Sequence, residues 1–278
     1  QLLHSLKHYS REDFTRDLVA GIIVAIIALP LSIALALASG VSPEQGLYTA
    51  IVAGFLISAL GGSKVQIAGP TAAFATIVAG IVAKNGMDGL AVATILAGIL
   101  LILMGVLRMG SMIKFIPYTI TTGFTAGIAV TILIGQLKDF FGLTFTRSPV
   151  ETMEKVEEVV HTFHTANWTA VGIGCLALAI LIVWPRFFKK IPASLIAVIV
   201  TAGAVKLFSL PVNTIGDLYT ISSALPRLTL PALSYDTVAA VLPDAFTIAV
   251  LAAIESLLSA VVADEMIGSR HNSNMELV

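Results

Sequence analysis

The chain has 278 residues, of which 57% are hydrophobic and only 12% charged, and its formal net charge is −1. Soluble domains carry about 25% charged residues, so this composition excludes an ordinary soluble enzyme or binding domain. The charges are also segregated, and stretches such as 18–43 and 115–137 contain none. Apolar runs of roughly 20 residues match the ~30 Å hydrocarbon core of a bilayer. The sequence therefore predicts an all-α polytopic membrane protein.

A polar N-terminal segment, 1–17, precedes eight predicted membrane-crossing segments. In chain order these are 18–38, 46–60, 65–83, 89–107, 115–136, 168–185, 191–207 and 238–262. With the N-terminus in the cytoplasm, ten Lys and Arg residues fall on the cytoplasmic side and six on the other. This bias predicts a cytoplasmic N-terminus and a cytoplasmic last loop, 263–278, while the loop 208–237 is extracytoplasmic.

The third segment is interrupted. It contains VQIAGPTAAFATIVAG, which begins at Val65. The first residues, Val65–Ala68, favour a short strand. Pro70 then disfavours helical backbone at Gly69 and suits the first turn of a new helix. The pattern predicts a short strand followed by a half-helix that begins inside the membrane; an ordinary proline kink is the alternative.

A helix that begins at membrane depth exposes N–H groups without acceptors, here those of Thr71, Ala72 and Ala73. It also carries about half a positive charge at its start. The small residues Gly69, Ala72 and Ala73 let a ligand approach the backbone closely. Discontinuous helices of this kind hold anionic substrates in transporters. We predict an anion-binding site at the start of the half-helix.

The eighth segment contains one charged residue, Glu255, between Asp244 and Asp264. A carboxylate at that depth is costly unless it is protonated, paired or hydrated. No Lys or Arg lies at mid-depth in any predicted segment, so Glu255 must carry a proton, bind a cation or meet a basic group from outside this chain. Ser256 is adjacent, and Ser259 shares the helical face of Glu255. We predict an ion-coupling site; a protonated Glu255 that only links two helices is the alternative.

Other features are weaker. Pro30 in the first segment either bends that segment toward the half-helix or makes a plain kink. No Walker loop, zinc cluster or HExxH motif is present in the sequence. We therefore expect no enzyme activity, no cofactor and no nucleic-acid partner.

Three stretches resemble the SulP (sulfate permease) anion transporters. They are RDLVAGIIVAIIALPLSIALALASGVSPEQGLYTAIVAG, GGSKVQIAGPTAAFATIVAG and AAIESLLSAVVADEMIGSRHNSNMELV, which correspond to the opening, the third segment and the eighth segment with its following loop. Within the family, the Ala-Leu-Pro-Leu first segment and the Gly-Pro-Thr-Ala-Ala-Phe half-helix are most similar to the bacterial branch that includes the C4-dicarboxylic acid transporter.

The resemblance implies two inverted repeats of seven segments, arranged as core and gate domains, and in most members a cytoplasmic STAS domain. Residues 18–207 would be the first repeat, with core segments over 18–107 and gate segments over 115–207. Residues 238–262 would open the second repeat. The rest of that repeat and the STAS domain are absent from this sequence, and the family also implies a homodimer.

The resemblance also implies roles for individual residues. Substrate would lie at the half-helix, beside the first and eighth segments. The residues expected at the substrate are Gly69, Pro70, Thr71, Ala72, Ala73, Phe74, Pro30 and Leu31. Glu255 would serve the coupling ion, with Ser256 and Ser259 beside it; the ion is a proton, or sodium held by Glu255 and Ser259. Leu31 replaces a Gln of many sulfate and chloride members, which makes a small inorganic anion less expected.

The predicted function is therefore secondary active transport across the bacterial inner membrane. The substrate would be a C4-dicarboxylate such as succinate, fumarate or aspartate, moved with protons by an elevator-type mechanism. The alternatives are a sodium-coupled bicarbonate or sulfate carrier, an uncoupled anion channel, and a membrane scaffold that binds anions without moving them.

Overall fold

The computed structural model describes residues 9–63, 65–67, 69–111, 118–188, 191–220, 230–268 and 270–278, and none of these residues forms a strand. The longer helices are α1 (Arg11–Ala38), α2 (Pro43–Leu60), α3 (Ala75–Val106), α4 (Tyr118–Phe140), α6 (Trp168–Phe187), α7 (Ala193–Leu207) and α9 (Tyr235–Ile267). The shorter ones are α5 (Thr152–Thr162), α8 (Ile215–Leu218) and α10 (Ser273–Leu277), with 3₁₀ turns at Ala72–Phe74 and Phe163–Thr165.

Within the described residues, helices occupy most of each of the eight predicted membrane segments. Four helical stretches there are long and apolar enough to cross a membrane: Arg11–Ala38, Ala72–Val106, Trp168–Phe187 and Tyr235–Ile267. The eighth begins a little earlier than predicted, because the Ser234 hydroxyl accepts a hydrogen bond from the Thr237 N–H and caps the helix there. These observations confirm the all-α membrane class.

The predicted short strand over Val65–Ala68 is wrong for residues 65–67, and Ala68 lies outside the described residues. Extended backbone becomes a strand only when a second extended segment pairs with it. Here the Val65 N–H donates to a side chain instead, the Ser63 hydroxyl, at 3.5 Å. Just before the predicted strand, the N–H groups of Gly62 and Ser63 donate to Glu276.

Helix α3 consists of two arms, 75–85 and 87–106, separated at Gly86. Gly86 has φ 67° and ψ −169°, a conformation open essentially to glycine alone. The break falls between the predicted third and fourth segments, 65–83 and 89–107. The first arm is therefore the predicted half-helix, and the second arm is the next segment.

The chain forms two compact units. The first consists mainly of Ser32–Ala126 and Ser223–Val278, and the second of Thr15–Leu31 and Gly127–Ser222. The core of the first unit lies where α9 packs on both arms of α3. The buried stripe of α9 recurs every four residues and is mostly alanine, which allows the close helix approach typical of membrane interiors; its members are Val241, Ala245, Ala249, Ala253 and Leu257.

After α9 the chain of the first unit turns back on itself. Gly268 ends the helix in the left-handed conformation, with φ 63°. The Asp264 carboxylate then accepts from the His271 backbone N–H at 2.9 Å and contacts the His271 ring Nδ1 at 2.7 Å, while Nε2 lies 2.8 Å from the Ser273 hydroxyl. These residue types make up a serine-hydrolase triad. Here Asp264 lies in the last turn of α9 and Ser273 at the start of α10, and the hydrogen bonds of both to His271 stabilise the connection between the two helices.

In the second unit a polar connector, α5, separates the apolar helices α4 and α6. Glu158 of α5 is buried and accepts three hydrogen bonds from the preceding loop: from the Thr146 N–H at 2.7 Å, the Thr146 hydroxyl at 2.6 Å and the Arg147 N–H at 3.2 Å. The hydrogen bonds from Thr146 lower the pKa of Glu158 below its ordinary value of 4.5. The ionised carboxylate therefore holds the loop onto α5.

Because the folded pKa is lowered, the stabilisation by Glu158 is complete above the unfolded pKa and is lost as the pH falls through the folded value. We expect Glu158→Gln to lower the melting temperature at pH 7. The difference from the wild type should shrink as the pH falls below about 4.5. Glu157→Gln, at an exposed neighbour, is the control. A difference that stays constant down to pH 3 would contradict the role of the charge.

Candidate functional site

The half-helix starts from an extended residue. Thr71 has φ −125° and ψ 151°, and the 3₁₀ turn Ala72–Phe74 leads directly into α3. The Phe74 N–H reaches the Thr71 carbonyl at 3.4 Å. Among the described residues no side chain caps this start, so the first N–H groups remain available to a ligand.

The residues predicted to bind substrate lie together at this start. Gly69, Pro70, Thr71, Ala72, Ala73 and Phe74 are all half-buried. A Cβ atom built on Gly69 would meet no atom of the described residues within 4 Å. These residues therefore leave open space next to the backbone at the point where the sequence predicts that an anion approaches.

Glu255 of α9 lies against this start. The Thr71 hydroxyl donates a hydrogen bond to the Glu255 carboxyl oxygen Oε2 at 3.1 Å, across 184 residues of sequence. Glu255 is half-buried, and within the described part of the chain it forms no salt bridge. The predicted substrate and ion-coupling residues are thus in direct contact through one side-chain pair.

The two serines beside Glu255 differ in their surroundings. Ser256 is half-buried, and both its carbonyl and its hydroxyl accept from the Gln66 side-chain amide, at 3.3 and 3.5 Å. Ser259 is exposed, on the helical face of Glu255 one turn further along α9. Its hydroxyl is available to an ion or to water, and its role in ion coupling stays a prediction.

Pro30 and Leu31 belong to the second unit. Pro30 lies inside α1, which continues through it from Arg11 to Ala38, and Leu31 is 51% exposed. The assignment of these two residues to the substrate site stays a prediction.

Comparison with known proteins places this chain in a family. Residues 14–278 match the family model described as "Sulfate permease family". The chain belongs to this family. The SulP resemblance carried by the three sequence stretches is therefore confirmed, while the C4-dicarboxylate branch stays a prediction.

Two curated members of the sulfate permease family illustrate the similarity. The putative sulfate transporter YvdB of Bacillus subtilis is 42% identical over 274 residues, which are 98% of this chain and 52% of YvdB. The bicarbonate transporter BicA of Picosynechococcus is 31% identical over 276 residues, 94% of this chain and 48% of BicA. The chain thus spans about half the length of the curated relatives that it matches.

Solved structures of the sulfate permease family share the fold. The transmembrane domain of a cyanobacterial BicA superimposes with a TM-score of 0.85 at 29% identity, and the match covers 97% of this chain and 71% of that domain. SLC26A9 gives a TM-score of 0.81 at 19% identity, covering 99% of this chain and 48% of SLC26A9. At that identity the second similarity shows the fold alone.

Sequence reasoning missed two residues that hold residues 62–71, the segment that leads into the half-helix. They are Gln66, whose amide donates to Ser256, and Glu276, whose carboxylate accepts from Gly62, Ser63 and Ser256. Gln66 is the only amide side chain in 65–83 and could have been noticed for that reason. Glu276 was assigned to a cytoplasmic loop, and local spacing gives no sign of a contact across 214 residues.

The contact between Thr71 and Glu255 can be tested by a double-mutant cycle. Thr71→Val removes the donor, Glu255→Ala removes the acceptor, and the double variant reports the coupling between them. Hydrogen bonds between helices in membranes contribute roughly 0.6–1.7 kcal/mol, and we expect a coupling energy in that range, measured by unfolding in detergent or bicelles.

The control for this cycle is Thr94→Val. The Thr94 hydroxyl donates only within its own helix, to the Leu90 carbonyl at 2.8 Å. Thr94→Val should show no coupling with Glu255→Ala. Additive effects of Thr71→Val and Glu255→Ala would contradict the contact.

Proposed function

We propose that the protein containing this chain is a secondary active anion transporter. The observation that carries the proposal is the hydrogen bond between Thr71, at the uncapped start of the half-helix, and Glu255, the only charged residue between Asp244 and Asp264. It joins an anion-attracting group and an ionisable group in one site. Membership of a family whose curated relatives are named sulfate and bicarbonate transporters supports the same function.

The chemistry of this pair favours coupled transport. An anion at the N–H groups of residues 72 and 73 would lie close to Glu255. Two unit charges 5 Å apart repel each other by about 3 kcal/mol at an effective dielectric constant of 20. Loading the anion is therefore favoured when Glu255 carries a proton or holds a cation. Binding of the anion and binding of the coupling ion then promote each other, as symport requires.

For the substrate we propose a C4-dicarboxylate such as succinate, fumarate or aspartate, with a proton as the coupling ion. The open space that the described residues leave at Gly69 supports a larger organic anion. The sequence resemblance supports it too, because Leu31 stands where many sulfate and chloride members have Gln. The names of the relatives favour a second candidate, a bicarbonate or sulfate carrier. In that case the carboxylate of Glu255 and the exposed Ser259 hydroxyl would hold sodium, which prefers oxygen ligands.

We further propose the setting in which this site works. The protein would cross the bacterial inner membrane many times with its N-terminus in the cytoplasm. The core would move against the gate in elevator fashion, within a homodimer completed by the second repeat and a STAS domain. The ten-to-six distribution of Lys and Arg supports the orientation.

Uptake by the full-length protein in proteoliposomes tests the function. Labelled succinate, fumarate, aspartate, bicarbonate and sulfate are offered separately under an inward proton gradient, an inward sodium gradient, and neither. We expect accumulation of a dicarboxylate driven by protons. Sodium-driven accumulation of bicarbonate or sulfate would show that the proposed substrate and coupling ion are wrong, and it would remain consistent with the proposed site. Flux that no gradient concentrates would indicate a channel, and binding without any flux would indicate a scaffold.

Glu255→Gln separates coupling from binding. The amide cannot exchange a proton at any accessible pH, so gradient-driven accumulation should fall at least tenfold. Binding of the anion, measured by scintillation proximity or calorimetry, should remain, because the half-helix is unchanged. Asp244→Asn, eleven residues before Glu255 in the same helix, is the matched control. Accumulation at the wild-type level in Glu255→Gln would eliminate Glu255 as the coupling residue.

A further inference from the structure

The carboxylate of Glu276 accepts three hydrogen bonds near the start of the half-helix. Oε2 accepts from the backbone N–H groups of Gly62 at 2.7 Å and Ser63 at 3.0 Å, and Oε1 accepts from the Ser256 hydroxyl at 3.1 Å. A carboxylate suits this position because it offers only acceptors, and its charge strengthens each bond. Gly62 and Ser63 are buried, so their N–H groups have little access to water.

Glu276 makes one of three side-chain attachments between residues 62–71 and α9 or the chain that follows it; a backbone hydrogen bond from the Asn272 N–H to the Gly62 carbonyl, at 3.0 Å, is a fourth attachment. At the beginning of the segment Gly62 and Ser63 bind Glu276. In the middle the Gln66 side-chain amide donates to the Ser256 carbonyl at 3.3 Å. At the end Thr71 donates to Glu255. Ser256 takes part in the first two attachments and is the covalent neighbour of the residue in the third.

The attachment by Glu276 is additional to the contacts that hold α10 in place. Leu277 is buried with Ala253 and Leu257, and the Gly110 N–H donates to the Asn274 side chain at 3.1 Å. A Cβ atom built on Gly110 would lie 2.6 Å from the Ser273 backbone, so α10 closely approaches the chain that follows α3. The contacts of Leu277 and Asn274 thus dock α10, whereas the Glu276 carboxylate binds Gly62 and Ser63, which precede the half-helix.

We propose that Glu276 is a positioning residue of the transport site. By holding Gly62 and Ser63 and orienting Ser256, it fixes the position of the segment 62–71 along α9. That position brings the Thr71 hydroxyl and the following N–H groups against Glu255. The inference rests on the proposed transport function. It means that the chain after α9 affects substrate affinity, although it lies more than 200 residues from Gly62 in sequence.

The test compares variants of α10 in the full-length protein. Glu276→Ala removes all three acceptor contacts, and Glu276→Gln keeps one oxygen and removes the charge. Asn274→Ala weakens the docking of the same helix without touching residues 62 and 63. Glu265→Ala is a control at an exposed carboxylate. For each variant, KM and kcat of uptake are measured together with the melting temperature.

We expect Glu276→Ala to raise KM about tenfold or more. The KM of Glu276→Gln should lie between those of Glu276→Ala and the wild type, and Glu265→Ala should leave KM unchanged. Asn274→Ala should lower the melting temperature with a KM near that of the wild type. Equal changes of KM in Glu276→Ala and Asn274→Ala would overturn the proposal, since docking of α10 would then explain both. A wild-type KM in Glu276→Ala would overturn it as well.

Hydrogen–deuterium exchange gives a reading that does not depend on transport. In Glu276→Ala, or in Glu276→Gln if the first variant does not fold, peptides that cover 62–71 should exchange faster. In Asn274→Ala the faster exchange should be confined to peptides around Gly110. If the wild type transports none of the tested anions, the proposed function fails, and exchange alone still decides the positioning role. Unchanged protection of 62–71 in the Glu276 variants would refute it.

Discussion

A helix that begins inside a bilayer leaves its first N–H groups without acceptors, and the hydrocarbon offers none. The surrounding protein must therefore bury those groups or keep them next to a cavity that holds water or a ligand. In this chain the half-helix begins after Pro70. Among the described residues no side chain caps its first N–H groups, and Glu255 accepts from the Thr71 hydroxyl beside them. The packing of α9 on both arms of α3 brings Glu255 into place. The remainder of the site depends on this arrangement.

The alanine stripe of α9 shows how packing and chemistry are linked. Ala249, Ala253 and Leu257 are buried on one face. With 3.6 residues per turn, Ser256 lies next to that face, whereas Glu255 lies almost opposite it and meets the Thr71 hydroxyl there. Small buried residues let α9 approach α3 closely, and a larger residue in the stripe would separate the helices and lengthen the contact between Ser256 and Gln66.

Several features followed from the sequence because their causes are local. Charge-free runs of the right length located the membrane segments, and Gly69-Pro70 located the start of the half-helix. Glu255 was identifiable because an isolated carboxylate at that depth needs an explanation. The direct bond between Thr71 and Glu255 was implied only loosely, by a family resemblance that placed both near the substrate.

The missed features have long-range causes. The predicted strand over Val65–Ala68 rested on residue preferences, whereas strand formation depends on a pairing partner that no described residue supplies. Glu276 contacts Gly62 across 214 residues, and no local pattern encodes that pair. The sequence places NSNMELV in a cytoplasmic loop, 263–278, and gives no sign that Asn272 caps a short helix there or that Leu277 is buried.

The most direct measurement is an electron cryo-microscopy structure of the full-length protein with a transported anion bound. The account predicts density for the anion within hydrogen-bonding distance of the backbone N–H groups of Ala72 and Ala73, with Glu255 and Thr71 beside it. Density for the anion at a different place, with only water at the start of the half-helix, would contradict it.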